Sequence, residues 1–315
     1  MTSLQFHPVT KRPTLLAIWT ILAMSVPALV SAQEIMLKWG FVEGNEQVLQ
    51  LTNRMEISMP IGFASQVMDQ SIRMRQTVQS VESNGDATVT VTTEHIRMEG
   101  VGPGGDQLYD SDSGDTPTDP AILGAAAMVG QDYSMVVGAD GTVKSIQGIE
   151  ELIESMRSSV PPDVAPMLGE MFNAQTLTEI AQQGVQILPT DPISPGGSWQ
   201  ISFTMPNPLL GEVINTLTFI LDGIEERDGR TVALLSSTGE IVADTPEDLA
   251  GLPMEMDVDA EMTGFLIFDV DRGLVLSSST TTEMTMTMSG PDGSSMTMPM
   301  TTTSSLELLE YIPRS

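Results

Sequence analysis

From residue 35 onward, apolar side chains mostly alternate with Thr, Ser, Gln and charged residues. A period of two puts successive apolar groups on one face of an extended chain, so the pattern predicts strands. Twelve runs carry it: residues 35–42, 46–59, 71–82, 86–98, 131–138, 142–148, 199–205, 213–225, 230–243, 257–269, 273–288 and 294–311. Asn84-Gly85, Asp140-Gly141, Asp228-Gly229 and Asp292-Gly293 each separate two of these runs. Asn or Asp before Gly supplies the left-handed backbone of a tight hairpin, so the sheet is expected to be antiparallel.

Between the two groups of strands the period changes. Thr118-Asp119-Pro120 offers a cap and a first-turn proline for a helix over residues 121–128. Ile149, Leu152, Ile153 and Met156 share one face of a second, over 149–158. Pro161-Pro162 ends it, and Asp163 can cap a third over 164–172. A fourth covers 174–183, with Gly184 as its stop. Residues 188–197 contain Pro189, Pro192 and Pro195 and read as a linker, either a sub-boundary or a connection within one sheet.

Strands, then helices, then strands predict an α+β, β-dominated fold. The expected architecture is a curved antiparallel sheet with a helical insertion, about residues 118–184, packed on its concave face. That outline is similar to the open half-barrel of periplasmic lipoprotein carriers, a likeness of architecture that carries no function by itself.

The first 32 residues change the picture of where this domain works. A basic Lys11-Arg12 pair, an apolar run from Leu15 to Met24 and the small-residue exit Val30-Ser31-Ala32 stand in the order of an export signal. Cleavage is expected before Gln33, leaving residues 33–315 as a single exported β-rich domain, periplasmic or extracellular. The segment approaches the ~20 residues that span a bilayer, but Ser25 and Pro27 interrupt it. The chain has no cysteine, so neither a disulfide nor a lipidation site is available.

Charge then narrows the partners. The full chain has 13 basic and 42 acidic residues. Removing Lys11 and Arg12 with the signal takes the formal net charge from −29 to −31. Phosphate backbones and anionic lipid surfaces repel such a domain, so neither nucleic acid nor a membrane beyond the signal segment is an expected partner.

Candidate chemistry is sparse. His7 leaves with the signal and His95 stands alone in a predicted strand, read as an ordinary strand residue. A zinc site of the usual His and Cys composition is therefore not expected. No serine lies in a G-x-S-x-G elbow, and no phosphate-cradling loop is present, so no catalytic residue, enzymatic activity or cofactor is expected. Asp106, Asp110, Asp112, Asp115 and Asp119 cluster in a Gly- and Ser-rich stretch. Asp110, Asp112 and Asp115 are candidate Ca²⁺ ligands, because hard oxygens on a loop suit that ion; a solvated acidic loop is the plainer reading.

Methionine is the other anomaly, at 23 residues. It alternates with threonine in Met284, Met286 and Met288, and again in Met296, Met298 and Met300. Soft thioethers on one strand face suit Cu(I), while methionine is also an adaptable apolar filler. The turn Gly290-Pro291-Asp292-Gly293 predicts a three-residue loop, which pairs Met288 with Met296, Met286 with Met298 and Met284 with Met300. Pro299 then opposes Thr285, so the ladder on the far side of that strand should be interrupted near Pro299, or the strand should be an edge. Trp39 and Trp199, at the openings of the two halves, are expected to be largely buried.

Four phrases in order resemble a bacterial family of exported proteins and lipoproteins known as a domain of unknown function, number 6263. They are Leu37-Lys38-Trp39-Gly40-Phe41 with Glu43-Gly44, the Tyr109-Asp110-Ser111 step, Asp140-Gly141-Thr142-Val143, and the stretch from Leu188-Pro189 to Gly197-Ser198-Trp199. The resemblance implies one architecture over nearly the whole mature chain and no catalytic residues. Lacking a lipidation cysteine, this chain departs from the lipoprotein members. The expected function is an exported, non-catalytic binding or interaction module for an unidentified protein or apolar ligand. The alternative is a carrier of an apolar ligand such as a lipid, held under the helices by Met156, Met167, Met171 and Phe172; Ca²⁺ or Cu(I) binding is the third reading.

Overall fold

The computed structural model describes residues 34–58, 65–102, 105–115, 117, 119–162, 165, 181–182, 184–207, 211–244, 255–290 and 294–314. The first half contains β1 (Glu46–Ile57), β2 (Gln66–Val81), β3 (Ala87–Gly102) and β4 (Gly105–Asp110), then α1 (Pro120–Ala126), the hairpin β5 (Asp132–Val137) and β6 (Val143–Gln147), and α2 (Ile149–Ser159). The second half contains β7 (Ser198–Asn207), β8 (Gly211–Arg227), β9 (Arg230–Asp244), β10 (Glu255–Asp269), β11 (Leu274–Ser289) and β12 (Ser295–Ile312).

All the strands join one open, curved antiparallel sheet in the order β6-β5-β3-β2-β1-β12-β11-β10-β9-β8-β7, with β4 on the remaining edge of β3. Most neighbours in the sheet are consecutive in the chain and pair as hairpins; the exceptions are β5 on β3, across β4 and α1, and the seam where β12 pairs β1. Three of the hairpin turns use left-handed residues as expected, among them Gly85 (φ 89°) between β2 and β3. Asp228 (φ 52°) and Gly229 (φ 72°) connect β8 to β9, and Gly141 (φ 84°) helps turn β5 into β6.

Among the described residues, the inner face of the sheet is covered at one end. Leu221, Leu235, Leu266 and Phe268 form the core there with Leu37, Leu188 and Ile193 from the crossing segments. On the β3 side, Ile122 of α1 packs on Ile96 and Tyr109. Ile149, Leu152 and Met156 of α2 pack against Met128, Tyr133 and Ile146.

Three expectations are corrected. Residues 35–42 are not a strand: they hold a single reciprocal bridge, Ile35 to Ile193, with N–H···O distances of 2.8 Å. Their alternation is that of an extended cover, with Leu37 buried against the sheet and Lys38 exposed. Strand β4 was expected to be loop, since Gly-Asp-Gln-Leu-Tyr-Asp offers only Tyr109 to the inner side. Gly184 does not stop a helix, because Gln186 N–H donates to the Gln182 carbonyl across it (2.9 Å). The third helix and most of the fourth lie outside the described residues, and residues 188–197 are packed on the sheet through Leu188 and Ile193.

The two tryptophans are half-buried rather than largely buried. Both indole N–H groups reach the same short segment: Trp39 Nε1 donates to the Val185 carbonyl (2.7 Å) and Trp199 Nε1 to the Ile187 carbonyl (3.0 Å). Trp39 also meets Phe268 edge-on at 5.7 Å, and Trp199 stacks on Phe219 at 5.4 Å. The clamp holds the chain leaving the helical insertion against the inner face.

Candidate functional site

The register of the sheet carries the inner face well beyond the packed core. The row Leu266, Ser278, Leu306, Leu51, Ile72 and Ile96 belongs to the core. The next row is Gly264, Thr280, Ser304, Asn53, Gln70 and Met98. Beyond it come Met262, Thr282, Thr302, Met55 and Met68, then Ala260, Met284, Met300 and Ile57. The last two rows are Val258, Met286 and Met298, and Met256, Met288 and Met296. Side chains two residues apart on a strand share a face, so these rows form one surface with eleven methionines and no ionisable group.

The expected pairing of the methionine hairpin is observed residue for residue, with Gly290 N–H donating to the Ser294 carbonyl (2.8 Å). Pro299 opposes Thr285. Strand β12 lies within the sheet rather than at its edge; among the described residues its ladder with β1 runs to Ile57 and Met300, and Ser58 N–H donates to the Pro299 carbonyl (2.9 Å). Proline has no N–H to donate in return.

The opposite face of the same strands is polar. It presents Asp257, Asp259, Glu261, Glu283, Glu56 and Asp69 among threonines. On the inner face Met296 is 41% and Met68 39% exposed, and the other methionines of these rows are half-buried. None of the six hairpin methionines belongs to a buried cluster. The arrangement is an uncharged, deformable, methionine-rich sheet surface, separated from the core by the polar row of Thr280, Ser304, Asn53 and Gln70.

A cavity also lies under the cover, between Trp39, Phe41 and Val185 above and Leu49, Val78, Val89, Met135 and Leu306 below. Its volume is about 100 Å³. That is room for about three waters, well under the roughly 300–1,000 Å³ of a small-molecule site. Met156, the described member of the proposed carrier set, sits in the α2 packing cluster and does not line this cavity. Met167, Met171 and Phe172 lie outside the described residues.

The acidic stretch resolves into two parts. Asp106 and Asp110 are on β4, and Asp112 follows in a turn closed by Ser113 N–H donating to the Asp110 carbonyl (3.0 Å). Asp112 N–H donates to Asp110 Oδ1 (2.9 Å), and Ser111 ties the turn to β3 by accepting from Ile96 N–H (3.1 Å). His95 on β3 points to the same place: its Nε2 is 2.9 Å from Asp110 Oδ1 and 3.6 Å from Asp112 Oδ2. Arg97 Nη1 lies 3.5 Å from the other oxygen, Asp110 Oδ2. The Asp112 N–H first, and then His95, hold the Asp110 carboxyl below its ordinary value. Asp115 is exposed and its backbone N–H donates to Ser113 Oγ (3.1 Å); its carboxylate is not among the ligand atoms gathered at His95.

Comparison with known proteins places this chain by family only. No curated protein matches it. Among solved structures, lipovitellin, from a study of lipid–protein interactions, aligns with 87% of this chain at 9% identity and a TM-score of 0.48, and the chain spans about a quarter (26%) of lipovitellin's length. DynF from the dynemicin biosynthesis pathway of Micromonospora chersina aligns with 89% of this chain and 88% of its own at 10% identity, with a TM-score of 0.19. A DUF1329 family protein from Desulfovibrio piger covers 84% of this chain and 86% of its own at 8% identity, with a TM-score of 0.14. The family of unknown function DUF6263 matches residues 84–275, from the turn before β3 to the start of β11, which takes in three of the four phrases that carried the resemblance in the sequence. The chain belongs to the DUF6263 family.

Proposed function

We propose that the protein is an exported, non-catalytic binding module whose methionine-lined inner face receives an apolar partner. The single observation that carries this reading is the methionine patch on that face. Beyond the polar row of Thr280, Ser304, Asn53 and Gln70, methionines of β1, β2, β10, β11 and β12 come together with no ionisable group among them, on a chain whose formal net charge is −29. A methionine-rich surface on so acidic a chain is costly to leave in water, and each of these partly buried methionines returns a fraction of the ~1.5–3 kcal/mol of full burial when a partner covers it. Thioether side chains adapt to irregular apolar shapes, which suits a partner presented as a flat or elongated surface. The small size of the cavity under Trp39 and Val185 favours this open surface over an enclosed ligand site.

The test uses an environment-sensitive apolar dye with the full chain. Met286→Lys with Met298→Lys should abolish most of the fluorescence enhancement. Thr287→Lys with Thr297→Lys, on the opposite face of the same two strands, should leave it in place. Equal loss from both pairs, with far-UV circular dichroism unchanged, would rule the methionine face out as the binding surface. A lipid mass retained by protein purified from its own envelope would give the reading its carrier form; its absence would give the protein-partner form.

A further inference from the structure

We infer that His95, Asp110 and Asp112 form a binding site for a divalent first-row transition ion, with Zn²⁺ the closest fit. The site is distinct from the methionine face, because His95 and Asp110 project from the opposite side of the sheet. Ile96 and Tyr109, their chain neighbours, point into the inner core.

The spacing of the donor atoms carries the inference. Ligands about 2.1 Å from a zinc ion lie about 3.0–3.4 Å from one another, the range between octahedral and tetrahedral edges. His95 Nε2 is 2.9 Å from Asp110 Oδ1 and 3.6 Å from Asp112 Oδ2, and one ligand atom from each of the three residues falls within 4.8 Å of the others. An ion therefore fits by replacing the His95 to Asp110 contact, with little movement of either strand. The ligands are also held from behind. The Ser111 hydroxyl and the Asp112 N–H pin the turn, and Arg97 occupies Asp110 Oδ2, which leaves Oδ1 for the ion.

The donor set selects the class of cation. Calcium takes six to eight oxygens, and this group offers two carboxylates and an imidazole nitrogen, the Asp115 carboxylate not being among them. Copper(I) prefers thioethers or thiolates, and none stands here. An imidazole with two carboxylates suits Zn²⁺ or its first-row neighbours, with water filling the positions open to solvent beside the exposed Asp112. The two carboxylates and Arg97 give the group one net negative charge, and the acidic chain as a whole adds an attractive field for any cation.

The chain has two histidines, His7 and His95, so a His7→Ala variant of the untagged full chain carries His95 as its sole imidazole. Zn²⁺ titrated into chelator-stripped protein should shift the His95 Nε2 resonance at a one-to-one end point. Asp112→Ala and His95→Ala should each weaken binding measured by calorimetry by at least ~10-fold. Asp115→Ala should bind as the parent does, and Ca²⁺ should leave the His95 resonance unmoved. Zn²⁺ affinity unchanged in His95→Ala, or a His95 resonance indifferent to excess Zn²⁺, would overturn the proposal. Should Asp110→Ala prove unfolded, the exposed Asp112 still decides the question.

Discussion

Gly40 and Gly273 meet backbone to backbone. Gly40 N–H donates to the Gly273 carbonyl at 2.9 Å, and a Cβ on Gly40 would fall 2.1 Å from the Arg272 carbonyl oxygen. The contact seats the segment carrying Leu37 and Trp39 on the turn between β10 and β11. That turn is itself fixed by the fully buried Asp269, whose Oδ1 accepts from Arg272 N–H (3.0 Å). Gly40→Ala is expected to destabilise the fold by about 1–3 kcal/mol through forced separation of two backbones. Gly229→Asn should cost under ~1 kcal/mol, since its turn needs a left-handed residue but has open space around it. Urea unfolding midpoints of the two variants check the contrast.

The paired indoles give a second expectation. Trp39→Phe and Trp199→Phe each remove one donor from a carbonyl two residues apart on the same segment, at about 1 kcal/mol each. Because both act on residues 185–187, amide exchange should accelerate there in either variant and more in the double variant than in the two added together. Additive, separate effects would mean that the segment is not clamped as a unit.

The methionine hairpin can be trapped by a cross-link. Thr287 and Thr297 face each other on the outer side, with hydroxyl oxygens 3.4 Å apart, and the chain has no other cysteine to compete. Thr287→Cys with Thr297→Cys should oxidise to an intramolecular disulfide. Thr287→Cys with Met298→Cys places the thiols on opposite faces and should not. Mass change after mild oxidation and alkylation distinguishes the two.

Among the described residues, three carboxyls are held below their ordinary value and add to the acid sensitivity of the fold. The Lys144 ammonium chiefly holds Asp86 below the ordinary carboxylate value of 3.8, the Asp112 N–H does so for Asp110, and the Thr142 N–H for Asp140. A group whose pKa is lower folded than unfolded adds stability that is complete above its unfolded value and is lost as pH falls through its folded one. Stability should therefore be flat with respect to these groups near neutrality and fall as pH drops below 3.8. Lys144→Met should reduce stability at pH 7 and flatten that acid slope; an unchanged slope would remove Asp86 from the account.

Alternation made the long strands legible, because on a sheet with one apolar face every second residue reports its side. The same signal misplaced residues 35–42, since an extended cover lying on a sheet also buries every second side chain, as Leu37 does. It missed β4, where only Tyr109 faces inward. The six hairpin methionines were legible because one turn fixes their register. Met55, Met68, Met98, Met256 and Met262 join them only through ladders between strands far apart in the chain. His95 and Asp110 are 15 residues apart on β3 and β4, so no spacing rule could bring an apparently ordinary strand histidine together with an acidic turn.

The seam between β1 and β12 has a consequence for how the molecule is made. Glu46 pairs with Ile312, and every contact of that ladder spans most of the chain. Until β12 is in place, β1 and β11 are both raw edges, and two half-sheets lie open at the line where the finished sheet is widest. Closing so long a loop is slow compared with forming the hairpins on either side. The molecule should thus mature in two tempos, with rapid zipping of each half followed by a late joining step. A chain threaded across a membrane from its beginning would keep its central seam unsewn until its last strand arrives, which lets it travel without first having to be undone.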